Sequence, residues 1–328
     1  MYLDANKYSN AAKEDLWNSL EKASKAAGQV KRINNLMGEW VTKAGYPELN
    51  VRKEDACISI KQNRSFLSKR LHSKDIWPIP VHYKLSNGGS GFMLIDKPNA
   101  SISTPKVKWA KLNSGQKGVY RVLYDDELLT NLGEAVKSKK LAGVDAWGIL
   151  NDLFYLARSG RKSLNEYVAY VSKYMYGADA STSLLLNAQL NFLYSLCYDK
   201  EFAYGLKNAK QRFAELEHSR LGWQTRKGDT PQERDLRNGI ISSLGVAEFA
   251  PVVNRSNELF ERIISGKKVN PDIHQGIYVA VAWNGGDSTF NKLVKLYKST
   301  DSQDEKRSVL IALGMHKAPA LIRKALKL

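Results

Sequence analysis

The sequence has 328 residues, more than one domain usually contains, so two or three domains are expected. Hydrophobic residues make up 43% and charged residues 25%, a balance that supports buried cores and excludes a wholly disordered or collagen-like chain. No apolar run approaches the roughly 18 residues that cross a bilayer, and the N-terminal segment MYLDANKYSN has no signal-peptide core. Composition therefore predicts a soluble protein with no membrane partner.

The net charge of +17 raises nucleic acid as a possible partner. The excess is +6 in residues 1–105 and +11 in residues 106–328, which is nearly proportional to length. A solvated basic surface is therefore favoured over a nucleic-acid site. The two cysteines, Cys57 and Cys197, stand far apart, which favours free thiols in a reducing cytoplasm over a disulfide framework.

The first 46 residues predict two helices. Apolar side chains follow helical spacing in each, with Asn10 as the expected N-cap of the first: Leu16, Leu20 and Ala23, then Ile33, Leu36, Met37 and Trp40. From Leu49 to about Ser103 the apolar period changes to two, as in half-buried strands. Asn87-Gly88-Gly89-Ser90-Gly91 lies between two such runs and predicts a hairpin turn. The segment is expected to form a small β-sandwich or sheet.

Two further β-like runs occupy residues 107–124, and after Asp125 the pattern is helical to the end. Ser163 with Glu166, and Thr230 with Glu233, have the spacing of capping boxes that begin helices. Asn270-Pro271-Asp272 predicts another helix start and Gly285-Gly286 its end. The helices suggest antiparallel pairs stacked as an irregular solenoid, without a strict repeat period.

Motifs that carry chemistry are absent from the sequence. The five histidines never occur four apart, so the H-E-x-x-H zinc pair is missing: His72, His82, His218, His274 and His316. Neither a P-loop, nor Gly-x-Ser-x-Gly, nor a dinucleotide-binding glycine motif occurs. The sequence therefore predicts no catalytic centre and no metal in this chain.

One segment, VKWAKLNSGQKGVYRVLYD at Val107–Asp125, resembles the W-x-K-L-N-x-G-Q-x-G-x-Y-R-V-x-Y signature of the aminopeptidase N-like zinc metallopeptidases. Four other segments resemble the same family in the same order, and the archaeal and bacterial members, including the tricorn-interacting factors, are the most similar in character. These segments are residues 10–51, 146–168, 221–245 and 271–297.

The resemblance implies a multidomain α+β chain. Its expected parts are the helical end of a thermolysin-like catalytic domain at 1–46, a β-sandwich domain at 47–105, and an all-α superhelical domain of the HEAT or armadillo kind at 106–328. The family's Gly-x-Met-Glu-Asn and H-E-x-x-H motifs are missing, so we expect a fragment that is inactive alone. At its truncated edges we expect exposed apolar side chains, namely Leu16, Trp17, Leu36 and Trp40, and Leu310, Leu313 and Leu321.

The resemblance further implies a non-catalytic portion that encloses the active site of a zinc aminopeptidase and helps to bind and size-select peptides, with zinc only in the full-length protein. A larger protease assembly is a further possible partner. Arg234 and Arg237 are candidates for holding a peptide carboxylate, with an ordinary helix-surface or interhelical salt bridge as the alternative. Arg121 is a weaker candidate that fits an interdomain bridge, and Trp109 and Tyr120 are expected to pack at that junction. A stand-alone helical-repeat scaffold that binds a protein or peptide remains the alternative function.

Overall fold

The computed structural model describes residues 2–28, 33–68, 70–104 and 106–328. The chain divides into two compact units. The first comprises Met1–Ala135 with Tyr155–Lys162, and the second comprises Val136–Phe154 with Ser163–Leu328. The first unit contains the described strands, whereas residues 136–328, all of which the structure describes, contain helices and no strand.

In its described residues the first unit opens with the helices α1 (Tyr2–Ala5), α2 (Lys13–Ala26) and α3 (Ile33–Thr42). Helix α2 packs on α3, but the apolar residues predicted to form one face of α2, Leu16, Leu20 and Ala23, are exposed. The expectation of exposed apolar side chains is correct for Leu16 but wrong for Trp17, which is only 7% exposed and has the Lys13 ammonium 5.4 Å from the centre of its ring. Trp40 is half-buried, and its indole N–H donates to the carbonyl of Pro78 at 3.0 Å.

The strands of the described residues follow and form two sheets: β1 (Pro47–Lys53), β2 (Cys57–Arg64), β3 (Ile79–Leu85), β4 (Ser90–Ile95), β5 (Asn99–Ser103), β6 (Ala110–Leu112) and β7 (Arg121–Tyr124). The strand order is β5-β2-β1-β7 in one sheet and β4-β3-β6 in the other. The predicted hairpin is confirmed between β3 and β4, where Asn87 Oδ1 accepts from the Gly89 N–H at 3.0 Å. Gly88 has φ +89°, which a residue with a side chain rarely adopts.

The sheets bury one face each, because period-two alternation places every second side chain on the same side. Leu49, Val51, Ile58, Ile79 and Val81 are almost completely buried. The two sheets are joined where the Leu112 N–H donates to the Tyr124 hydroxyl at 2.9 Å.

Strand β1 lies inside the four-stranded sheet, antiparallel to β2 and parallel to β7. Strands β6 and β7 therefore belong to these sheets. The β structure extends to Tyr124, beyond residue 105, the predicted end of the β domain. The division into domains is still a prediction. Helix α4 (Asp126–Lys137) follows directly, with Asp125 Oδ1 accepting from the Leu128 N–H at 2.7 Å.

The remaining α-helices belong to the second unit, except that the last turn of α5 belongs to the first. They are α5 (Gly143–Arg158), α6 (Leu164–Tyr174), α7 (Ala180–Ser195), α8 (Ala203–Leu221), α9 (Pro231–Val246), α10 (Ala250–Ile264), α11 (His274–Asn284), α12 (Asp287–Ser299), α13 (Gln303–Leu313) and α14 (Pro319–Ala325). Both predicted capping boxes are confirmed at the starts of α6 and α9. The helical C-terminal part is thus confirmed, and its likeness to HEAT or armadillo repeats is still a prediction.

Helix α11 is the centre of the second unit. It packs on α9, α10 and α13, and its residues 276–282 are all buried. Helices α9 and α11 approach so closely that a Cβ added at Gly245 would lie 2.3 Å from the Ala280 Cβ. Leu313 and Leu321 are buried, contrary to the expected exposed edge, because α13 packs on α11 and α14 packs on α13.

Candidate functional site

The first turn of α9 presents Arg234 to solvent. The capping box fixes this turn, since Thr230 Oγ1 accepts from the Glu233 N–H at 3.2 Å and the Glu233 carboxylate accepts from the Thr230 N–H at 3.0 Å. The hydrogen bond from the Thr230 N–H lowers the pKa of Glu233, which keeps this carboxylate charged at neutral pH. A helix N-terminus favours such a negative charge. Arg234, one residue further along, therefore extends from a well-defined turn.

Arg234 lines an open cleft of about 500 Å³ within the second unit. The cleft also involves α10 and the segments before α9 and α11. We call it the basic cleft after the four cations that line it: Arg234, Arg255, Arg262 and Lys268. Asp272 is the one carboxylate among its described lining residues, so positive charge dominates the cleft.

The cations of the basic cleft have few partners of their own. Arg255 Nη1 lies 2.7 Å from Glu258 Oε2 in an exposed pair, and Arg262 Nη2 donates to the Lys268 carbonyl at 3.5 Å. Within the described ranges, the structure records no ion pair for Arg234 or for the Lys268 ammonium. These cations are therefore available for an anionic ligand.

Trp223 forms an apolar part of the wall. Its ring meets the His218 ring edge-on, with 5.3 Å between the centroids, and burial lowers the pKa of His218. His218 is therefore neutral at pH 7 and adds no charge to the site.

The loops of the wall are tied together by side chains. Asn270 Nδ2 donates to Thr225 Oγ1 at 2.6 Å, and the Thr225 hydroxyl donates to Asp272 Oδ2 at 3.3 Å. The bond from Thr225 uses part of the accepting capacity of Asp272. The cleft thus combines a fixed aromatic wall with exposed guanidinium groups.

Arg237 lies elsewhere and is only 1% exposed. Its Nη2 pairs with Asp229 Oδ2 at 2.5 Å, and its guanidinium also donates to the Leu221 carbonyl at 3.3 and 3.4 Å. The pKa of Asp229 is lowered, first by the hydrogen bond from the Arg226 N–H and then by Arg237. Arg237 therefore holds the loop between α8 and α9, and this geometry favours a structural salt bridge over binding of a substrate carboxylate.

Replacing Asp229 with asparagine should lower the midpoint of thermal unfolding by several degrees at pH 7, because the buried Arg237 charge loses its counterion. The pKa of Asp229 is lower in the folded chain than in the unfolded chain. The carboxylate therefore stabilises the folded chain fully above the ordinary aspartate pKa, and this stabilisation is lost as the pH falls through the pKa of the folded chain. Thermal melts of Asp229→Asn and the parent should therefore converge in acid. A constant difference down to pH 2 would contradict this role.

Arg121, Trp109 and Tyr120 belong to the first unit, not to the unit that holds the basic cleft. The Arg121 guanidinium lies over the Tyr155 ring, 4.8 Å from its centroid. Trp109 is half-buried and Tyr120 is buried. Gly118 allows this packing, since a Cβ there would lie 2.2 Å from the Tyr120 ring. Their roles at a domain junction are still predictions.

Sequence analysis did not single out Arg255, Arg262, Lys268 or Trp223. Arg255 and Arg262 are seven residues apart on α10, a spacing that places both on one helix face. This spacing could have predicted that the two arginines lie on the same side of the helix. The sequence could not predict which other helix and loops lie beside them, because that depends on the tertiary structure.

A catalytic zinc site needs three protein ligands and one open position. Across residues 2–28, 33–68, 70–104 and 106–328, no three histidine, cysteine, aspartate or glutamate side chains lie close enough to share a metal ion. His274 Nδ1 lies 3.2 Å from the Glu305 carboxylate, which also accepts a hydrogen bond from the Tyr278 hydroxyl. These residues do not fit the zinc centre that the resemblance implies for the full-length protein.

No helix in the part of the chain that the structure describes has both the length and the apolar character to cross a membrane. Both cysteines are free, Cys57 half-buried and Cys197 buried.

Known proteins resemble this chain along nearly its whole length. It is 27% identical to Aminopeptidase M1 of Arabidopsis thaliana over 99% of this chain and 39% of the relative. It is 28% identical both to the Puromycin-sensitive aminopeptidase of Caenorhabditis elegans, over 98% of this chain and 35% of the relative, and to the Tricorn protease-interacting factor F2 of Thermoplasma volcanium, over 95% and 37%. The chain thus spans less than two fifths of the length of these relatives.

The family model for the ERAP1-like C-terminal domain matches residues 109–328, which include the basic cleft and all of the second unit. The aligned relatives are aminopeptidases or named as a protease-interacting factor. The chain therefore belongs to the ERAP1-like C-terminal domain family and represents the C-terminal part of an aminopeptidase N-like protein.

Proposed function

We propose that this chain is the non-catalytic portion of a zinc-dependent aminopeptidase that encloses the active site and helps to bind and size-select peptides. The full-length protein would remove N-terminal amino acids from peptides, with zinc held by residues outside this chain. The observation that carries the proposal is the basic cleft, in which Arg234 is exposed on a fixed helical turn. An enclosing portion needs such a site if it is to hold the end of a peptide that lies far from the reacting bond.

The chemistry of the cleft suits a peptide C-terminus. A guanidinium presents parallel N–H donors that match the two oxygens of a carboxylate, so Arg234 can hold the terminal carboxylate in two hydrogen bonds. The Trp223 ring offers an apolar surface for the last side chain of the peptide. Positive charge around the cleft also attracts anionic ligands before contact.

We also propose that the full-length protein joins a larger protease assembly. This proposal is supported by the Thermoplasma volcanium relative, which is named a tricorn protease-interacting factor.

Peptide binding should depend on the free carboxylate. We expect an N-terminally labelled nonapeptide acid to bind this chain about fivefold more tightly than the same peptide amide, measured by fluorescence anisotropy, because an exposed but bidentate arginine–carboxylate pair contributes about 1 kcal/mol. Arg234→Gln should remove this difference. Arg307→Gln is the matched control, since Arg307 is an exposed arginine on α13 that does not line the cleft.

Equal affinities for acid and amide in the parent chain would contradict the proposal and favour the scaffold alternative. If the Arg234→Gln chain keeps the full difference in affinity between acid and amide, the peptide carboxylate binds at a residue other than Arg234. Thermal melts of both variants should match the parent, because both arginines are exposed.

A further inference from the structure

We infer that the basic cleft selects peptides that carry additional carboxylate side chains next to the C-terminus. This inference rests on the proposed function and specifies its substrate class. The reason is that the residues lining the basic cleft carry more positive charge than a single terminal carboxylate can neutralise.

Four cations line the cleft and only one carboxylate, Asp272, lies among its described lining residues. Asp272 already accepts a hydrogen bond from the Thr225 hydroxyl. Glu258 pairs with Arg255, and Asp272 offsets one further charge, so the four cations still exceed these two carboxylates by two charges. A peptide with a single carboxylate therefore leaves one positive charge of the cleft unmatched.

Two of the cations, Arg262 and Lys268, belong to neighbouring parts of the lining. Arg262 Nη2 donates to the backbone carbonyl of Lys268, a contact that links the segment after α10 to the end of that helix. Arg262 and Lys268 therefore form one basic side of the cleft, while Arg234 extends from the first turn of α9. This arrangement suits a ligand with carboxylates at more than one position along its length, such as a peptide with glutamate side chains before its last residue.

The size of the effect follows from exposure. All four cations are exposed, so water and salt weaken each pairing, and each added carboxylate should improve affinity about two- to fivefold. Screening acts over roughly 8 Å at physiological ionic strength. The preference for an acidic tail should therefore shrink as salt is added.

Anisotropy titrations with three labelled nonapeptides test this inference: one ending in three alanines, one ending in Glu-Glu-Ala, and the amide of the second. In 50 mM NaCl we expect the acidic tail to bind about tenfold more tightly than the neutral tail, with this ratio falling below about threefold in 500 mM NaCl. The double variant Arg262→Gln/Lys268→Gln should bind both acids with nearly equal affinity. Arg307→Gln should keep the parent's ratio.

The outcomes separate this inference from the proposed function. If acid and amide of the acidic peptide bind equally, the carboxylate site itself is refuted. If acids bind better than amides but the glutamates add nothing, only the acidic-peptide inference fails. Competition by a single-stranded RNA oligonucleotide at the same charge concentration would also overturn it, because the cleft would then accept any polyanion.

Discussion

Replacing Lys210 with methionine should raise the free energy of unfolding by about 2–4 kcal/mol at pH 6, the reverse of what most core substitutions do. Lys210 lies on α8 and is completely buried. Its ammonium donates to the Ser243 carbonyl at 3.1 Å and lies 5.0 Å from the centre of the Tyr194 ring. Burial, with a smaller effect of Lys207, lowers the pKa of Lys210 to about 7. Methionine has a similar length and carries no charge to desolvate.

The gain should depend on pH in a definite direction. Between pH 7 and the ordinary lysine pKa of 10.5, the unfolded chain holds a proton at this position that the folded chain has released. The parent's stability therefore rises with pH across this window, and the cost of Lys210 is fully present below it. Lys210→Met removes this slope, so its advantage should be greatest at pH 6 and small at pH 10.

Urea unfolding at pH 6, 8 and 10 would measure this difference. Lys295→Met is the matched control, since Lys295 is an exposed lysine on α12 and its loss should leave the pH dependence unchanged. A Lys210→Met chain that is less stable than the parent at pH 6 would show that the ammonium contributes more through its hydrogen bond than burial costs it.

Substituting alanine for Gly245 should lower the free energy of unfolding by about 2–3 kcal/mol, although alanine is the better helix former. The added Cβ would lie 2.3 Å from the Ala280 Cβ and 2.6 Å from its Cα. Backbone atoms cannot turn aside as a flexible side chain can, so α9 and α11 would have to separate. This contact lies at the centre of the second unit, where separation exposes buried side chains.

Gly205→Ala is the matched control, because Gly205 also lies inside a helix, α8, and a Cβ there meets nothing within 4 Å. It should stabilise the chain by about 0.5–1 kcal/mol. Chemical denaturation of both variants gives the comparison. Equal stability of the two would mean that α9 and α11 do not approach as closely as described.

Local signals predicted local structure well. The capping boxes at Ser163 and Thr230 and the turn at Asn87–Gly91 are confirmed because each depends on a few neighbouring residues. The N-cap at Asn10 is wrong: α2 begins at Lys13, and the Asp15 carboxylate accepts from the Ala12 N–H at 2.8 Å. Here a carboxylate inside the first turn provides the partner that was expected from a residue before the helix.

The candidate site shows where sequence reasoning reaches its limit. Arg234 and Arg237 are three residues apart on α9, and the sequence treats them alike. In the fold one is exposed in the cleft, and the other is buried against Asp229 and the Leu221 carbonyl. Burial at this spacing is decided by the loop that packs over the helix, so only the tertiary structure separates the two roles.

The parallel pairing of β1 with β7 has a consequence for synthesis of the chain. Strand β1 is an inner strand of its sheet, and its two neighbours are β2 and β7. Strand β7 ends at Tyr124, some seventy residues further along the chain, so it is synthesised long after β1. Until then the N–H and C=O groups along one side of β1 have no strand beside them and form an open sheet edge. During this part of synthesis the unpaired edge of β1 can pair with strands of other chains. Pairing with the short strand β7, Arg121–Tyr124, removes this exposed edge.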